Sequence, residues 1–271
     1  MTAIRLFKGG FGHVSLLRAA GDLVTHAHPE CHIILWLAGN PGAIQVGPER
    51  VVPDSNIAVG VNSLQPHGHC FANDGAPGNF LAFYIDPRWI ETHLGIEAGT
   101  PVFPSAAIPL TDELRGMIRS IIDHVFRGEG HQVLREADIE YLIETIVRGS
   151  AGETPSRAMR PVVDWRIRKA IAFMSAHVED RVCFDALAQS VGLSRPHFFA
   201  LFKEQTNLTP NLYWNTLRME EALRQVEEHS LPLTAVACNL GFTSQGNFTR
   251  FFRDHTGVPP TLYRDATRPA A

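Results

Sequence analysis

The chain is short of several features that would point directly to a function. It has four cysteines in 271 residues, Cys31, Cys70, Cys183 and Cys238. They are scattered, with no C-x-x-C pair, so they outline neither a disulfide framework nor a zinc finger. No apolar run approaches the roughly 18 residues that a membrane span needs, and the N-terminal MTAIRLFKGG lacks a signal peptide's apolar centre. A cytoplasmic protein with no membrane partner is expected. There is no nucleophile elbow, no phosphate loop and no acid and base pair at a recognisable spacing, so no catalytic residue is nominated and an enzyme is not expected. A strong basic excess is missing too. Residues 161–271 carry 12 Lys+Arg against 11 Asp+Glu, a net +1, and the rest of the chain carries 12 against 17, a net −5. Nucleic-acid binding by the C-terminal part would therefore rest on specific contacts more than on counterion release, and the N-terminal part should stay off DNA.

What is present is a repeat. GLSRPHFFALFKEQTNLTP from Gly192 to Pro210 returns as GFTSQGNFTRFFRDHTGVPP from Gly241 to Pro260, with one residue inserted. Ala186, Ala188, Gly192, Phe198, Phe202, Thr206 and Pro210 lie over Ala235, Ala237, Gly241, Phe248, Phe252, Thr256 and Pro260. Each copy reads as a short small-sided helix, a glycine turn at Gly192 or Gly241, and a second helix with aromatics at helical spacing. Ser194 in the first copy, and Thr243 or Ser244 in the second, offer the cap. Two helices joined by a short glycine turn describe a helix-turn-helix, whose second helix can enter the major groove of DNA. A helix over about 165–177 precedes the repeats, and one over about 210–228, packing Tyr213, Leu217 and Leu223 inward, joins them.

These residues resemble the DNA-binding domain of the AraC/XylS family of bacterial transcription regulators over about the last hundred residues. The end of the second copy, GFTSQGNFTRFFRDHTGVPPTLYR, carries the most specific match. The resemblance implies a regulator that binds double-stranded promoter DNA, more often an activator working with RNA polymerase than a repressor. It places Gln245, Gly246, Thr249 and Arg250 at reading positions, with Asn247 on the same polar face. Arg can clamp guanine and Gln or Asn adenine. The corresponding positions of the first copy are Arg195, Pro196, Phe199 and Ala200, a poorer donor set, and His197 is expected among its DNA-binding residues.

Residues 1–107 are rich in Gly and Pro and hold short apolar runs such as CHIILWLAG and NFLAFYID, separated by turns such as Gly39–Gly42 and Asp74-Gly75. They read as a β-sandwich or small barrel. Two histidine clusters, GDLVTHAHPECHIILWLAG and GVNSLQPHGHCFAN, resemble the paired motifs of cupins, a double-stranded β-helix that AraC-type regulators often carry as a sensor domain. His32 stands where the cupin pattern has Glu, and His69, with Asn73 following, takes the place of the second motif's histidine. His26, His28, His32 and His69 are the expected metal ligands, for Zn, Fe or Ni. Trp36 and Phe83 are expected to line a pocket for a small-molecule effector.

Two helices should follow, 111–127 with Leu114, Ile118, Ile121, Ile122 and Val125 on one stripe, and about 134–148 with Ile139, Leu142, Ile143, Ile146 and Val147. By resemblance such a pair forms a homodimer interface; the alternative is that both stripes pack on the barrel. The expected organisation is thus α+β multidomain: a cupin-like β-barrel at 1–107, dimerisation helices at 108–150, a linker at 151–162 and an all-α domain with two helix-turn-helix motifs at 163–268. The expected function is sequence-specific regulation of transcription under an effector at the N-terminal barrel. The rivals are a metal-dependent cupin enzyme with an appended DNA-binding domain, and a regulator whose barrel binds a partner protein.

Overall fold

The computed structural model describes residues 4–71, 76–97, 99–127, 135–150 and 162–267. Asn73, the Asp74-Gly75 turn and residues 151–161 of the expected linker lie outside the described residues. The N-terminal half is β-rich. Its strands are β1 (Ile4–Gly9), β2 (Gly12–Ala19), β3 (Leu23–His26), β4 (Cys31–Gly39), β5 (Ala43–Val46), β6 (Glu49–Val51), β7 (Ile57–Val61), β8 (His67–Cys70), β9 (Gly78–Ile85) and β10 (Ala107–Pro109). They pair antiparallel in two open sheets, of order β1-β2-β9-β4-β7-β10 and β3-β8-β5-β6. The barrel is therefore corrected to two facing sheets: among the described residues β1, β10, β3 and β6 end their sheets, and no ladder joins one sheet to the other.

Side-chain alternation along β4 and β9 decides what each residue can touch. Cys31, Ile33 and Leu35 share a core with Leu81, Phe83 and Ile85 on the outer face of the larger sheet. Ile34 and Phe80 turn the other way, into a second core between the sheets with Ile44, Val46, Val59 and Val61. The outer core is closed by helices. A short α1 (Pro87–Trp89) continues as a π turn over Ile90–Leu94, and α2 (Asp112–Arg127) and α3 (Glu136–Ser150) follow the last strand. Leu114, Ile118, Ile121, Ile139, Leu142, Ile143, Ile146 and Val147 are all buried in that one core; the side chain of Val125 lies outside the described residues. The apolar stripes are thus spent on the sheet and on each other, which removes them as the ground for a homodimer.

The C-terminal half is helical: α4 (Trp165–Ala176), α5 (Phe184–Ser190), α6 (Arg195–Thr206), α7 (Pro210–Glu227), α8 (Leu233–Asn239), α9 (Gln245–Thr256) and α10 (Pro260–Ala266). The repeat holds in atomic detail. Gly192 and Gly241 adopt φ of +75° and +67°, and the next residue's N–H returns to the helix at 2.9 Å in both copies, Leu193 to Ala188 and Phe242 to Ala237. Thr206 and Thr256 each donate a hydroxyl to a carbonyl one turn back, at 2.7 and 2.9 Å. Ser244 caps α9 by accepting from Asn247, while Ser194 sits at the cap position of α6 without a side-chain bond. Each copy has its own aromatic core, and α7 spans both, with Trp214 in the first and Met219, Ala222 and Val226 in the second. Among the described residues no helix is long and apolar enough to cross a membrane.

Because Leu142 and Ile143 are fully buried, Leu142→Ala is expected to cost about 2–5 kcal/mol in urea denaturation. Ile143→Asp, which buries an unpaired charge, is expected to give no stably folded chain. A well-folded monomeric Ile143→Asp variant would show instead that this stripe is an assembly surface.

Candidate nucleic-acid interface and interdomain histidine site

The polar face of α9 lies open. Gln245, Gly246, Asn247 and Arg250 are exposed and Thr249 is half-buried, while Phe248 and Phe252 hold the opposite face in the core. Asn247 donates its side-chain amide to the Thr243 hydroxyl at 2.7 Å, so part of its polar capacity is committed to the turn. On α6, Arg195 and His197 are exposed and Phe199 half-buried. Arg195 lies 3.0 Å from the Asp185 carboxylate and 5.2 Å from the Phe199 ring centre. This ties it to its own motif, as the Thr243 hydroxyl ties Asn247 on α9.

The other end of α9 meets the β-rich half. His255 lies 6.1 Å, ring to ring, from His26 at the end of β3, and the left-handed Gly257 that ends α9 faces Leu23. A side chain at Gly257 would face both φ +77° and Leu23. Leu6 and Leu17 pack against the core of the second motif. Thr216 of α7 donates its hydroxyl to the Ala27 carbonyl at 2.9 Å, and Lys8 reaches Glu227 at 2.7 Å. A cleft at this junction is lined by Leu17, His26, Tyr84, His255, Thr256 and Val258.

Five histidines and a tyrosine gather around that cleft because of strand register. His26 stands directly opposite His67 across the β3–β8 ladder. From the facing sheet, Tyr84 pairs with His13 on one side and His32 on the other, and stacks on both, with centroids 4.3 and 4.1 Å away. His28 fills the space between, 4.9 Å from His67 and 5.3 Å from His32. Ligand nitrogens of His26, His28 and His67 all lie within 4.8 Å of one another. Burial holds His26 down to about 3 and His13 to about 4, and pushes His32 and His67 well below the ordinary imidazole range. These rings are neutral at pH 7, with lone pairs to offer.

The structure places three expected site residues outside the histidine cluster, although His69 still lines the cleft. His69, two residues past His67, stacks on Phe71 and gives its Nε2 hydrogen to the Pro41 carbonyl at 2.8 Å; His67 takes its place in the cluster. Phe83 faces the helices, on the wrong side of β9 for the cleft. Trp36 packs at the edge of the core between the sheets and donates to the Gly39 carbonyl at 3.2 Å. His67 could have been found by asking which histidine of HGH pairs with His26. His255 carried no signal, since it lies inside the DNA-binding motif.

A family profile described as a helix-turn-helix domain matches residues 187–266, and the C-terminal part of this chain is a helix-turn-helix domain of the AraC type. The relatives are regulators by name. An uncharacterized HTH-type transcriptional regulator YobQ of Bacillus subtilis is 38 % identical over 96 residues, 35 % of this chain and 40 % of that one. The HTH-type transcriptional regulator GbdR of Pseudomonas aeruginosa is 30 % identical over 139 residues, 51 % of this chain and 38 % of its own. The chain thus spans about two fifths of the length of these relatives. Among solved structures, ToxT of Vibrio cholerae overlaps 93 % of this chain and 97 % of its own, with a TM-score of 0.53 and 11 % identity, a likeness of fold across both halves.

The Thr216–Ala27 bond joins the two halves in a buried setting, so Thr216→Val, which leaves the carbonyl unpaired, is expected to lower stability by about 1–2 kcal/mol in urea denaturation. Lys8→Ala, at an exposed ion pair, is expected to cost less than about 1 kcal/mol. The reverse order would mean that the junction is held electrostatically.

Proposed function

We propose that this protein is a transcription regulator that binds promoter DNA through its two helix-turn-helix motifs, under the control of a ligand held by the N-terminal half. The observation that carries this reading is the position of α9. One end presents Gln245, Asn247 and Arg250 to solvent, and the other end is packed on β3 beside a histidine-lined cleft. A ligand in the cleft touches the reading helix without an intermediary. The regulatory names of the relatives support the function, and ToxT, which shares the two-part fold, has been solved with an unsaturated fatty acid bound, which supports a small-molecule effector. The two-sheet half, with its histidine pairs facing inward, is consistent with a cupin-like sensor. The expected sign is activation through RNA polymerase.

The second motif is assigned the base reading and the first the backbone contacts, since Arg195 is engaged by Asp185 and Phe199. Genomic fragments selected by the purified protein supply the test. Arg250→Ala is expected to cost about 1–3 kcal/mol on selected fragments and to relax preference at one base pair, whereas Arg195→Ala weakens binding to all fragments alike. Failure to enrich any fragment would overturn the regulatory reading, and equal loss on all sequences for Arg250→Ala would overturn the division between the motifs.

A further inference from the structure

The geometry points to a transition-metal site that bridges the two halves of the chain, with His26, His28 and His67 as ligands from the β-rich half and His255 of α9 as the fourth. The inference rests on the regulatory reading above for its purpose, but not for its chemistry.

The case is made by hydrogen positions. A carbonyl oxygen only accepts, so a ring nitrogen facing one carries the hydrogen. His26 Nδ1 lies 2.8 Å from the Val24 carbonyl, and His67 Nδ1 2.9 Å from the Gln65 carbonyl. His255 Nδ1 lies 2.7 Å from the Phe251 carbonyl. His28 Nδ1 lies 3.3 Å from the Glu30 carboxylate without forming a hydrogen bond. The rings of His26, His67 and His255 are thereby set to the tautomer whose Nε2 carries a lone pair, and both ring nitrogens of His28 are buried without a hydrogen-bond partner, so either can offer one. An oxygen acceptor on the far nitrogen is the usual arrangement behind a metal-bound histidine.

Two of these lone pairs have no partner in the protein. The Nε2 atoms of His28 and His67 are buried without a hydrogen-bond partner, as are both ring nitrogens of His32 beside them, and His67 is 4 % exposed. Polar atoms are rarely left so, and with His28 Nδ1 there are five in one place, which calls for a bound partner. A shared water could serve one or two of them; a cation takes a lone pair from His28 and from His67 at once, and leaves the N–H that a neutral His32 retains to another acceptor. Nitrogens bound to zinc stand roughly 3.4 Å apart, from bonds of about 2.0–2.1 Å at the tetrahedral angle. The present spread of up to 4.8 Å is closed by small rotations of the imidazoles. An all-imidazole set selects zinc, nickel, copper or iron over magnesium and calcium, which take oxygen. Three histidines leave a fourth tetrahedral position to fill, and the His255 ring stands about as close to His26 as His28 does, 6.1 against 6.0 Å. The ion would then tie the C-terminal turn of the second recognition helix to β3.

The test uses the full chain without a histidine tag, freed of metal by a chelator, and titrated with Zn2+ against a chromophoric competitor and with Co2+ by absorption. One equivalent per chain is expected, with the intense visible bands of tetrahedral Co2+. His67→Ala should lose binding, and His69→Ala, whose ring is engaged by Pro41, should keep it. His255→Ala should retain one equivalent at about 10- to 100-fold weaker affinity, with an altered Co2+ spectrum as water replaces imidazole. Thermal melts of each metal-free variant establish that it is folded, and His67→Gln substitutes for His67→Ala if that chain is not. Less than a tenth of an equivalent in the wild type, or binding unchanged by either His67 variant, would overturn the site. Wild-type affinity and spectrum in His255→Ala would overturn the bridge. The titration contains no DNA, so its failure and the failure of the regulatory reading are separate results.

Discussion

The packing of the C-terminal end of α9 on β3 is the constraint on which the arrangement depends. A recognition helix has two ends, and here they have different obligations: the first turn is open toward solvent, and the last turn is held by Leu23, His26 and the apolar residues of the N-terminal half. A helix is stiff over 12 residues, so a displacement at one end is carried to the other. Under the proposed regulation no chain of intermediates is needed to connect ligand and DNA. The cleft, the histidines and the exposed polar face of α9 are parts of one short element and its seat.

The chemistry of the seat follows from its burial. Two antiparallel pairs, His26 with His67 and His32 with Tyr84, face one another from separate sheets, and the low polarity between them keeps the imidazoles neutral. Neutral imidazoles are poor partners for each other when every lone pair points inward, and good partners for a cation or for a ligand that donates hydrogens. The site thus has a deficit of hydrogen-bond partners that a ligand of the proposed kind would relieve, next to residues of both halves of the chain. Allosteric coupling is a difference in ligand affinity between two states, and a seat completed only when α9 is docked supplies such a difference.

Much of the C-terminal half was legible in the sequence, because helix-turn-helix motifs are local. Gly192, Gly241, Thr206 and Thr256 act on residues a few positions away, so spacing alone fixes their roles. The N-terminal half was less legible for a physical reason. NFLAFYID is apolar on both faces, since β9 is covered by helices on one side and the second sheet on the other, and alternation could not say that Phe83 faces the helices. The stripes of α2 and α3 announced burial without naming the partner, and the sheet proved to be that partner. The histidine site failed by one pleat: two residues separate His67 from His69, both point inward, and only pairing with His26 tells which joins the cluster. His255 could not have been chosen, because its place depends on how two distant parts of the chain pack.

Native-state hydrogen exchange tests the central claim most directly, since it reads how strongly α9 is held to the β-rich half. If the docking is as described, the amides of β3 and those of the last turns of α9 will open together, with a common free energy and a common denaturant dependence. Independent opening of α9 at much lower free energy, with β3 undisturbed, would contradict the account by showing that α9 is not seated on the β-rich half.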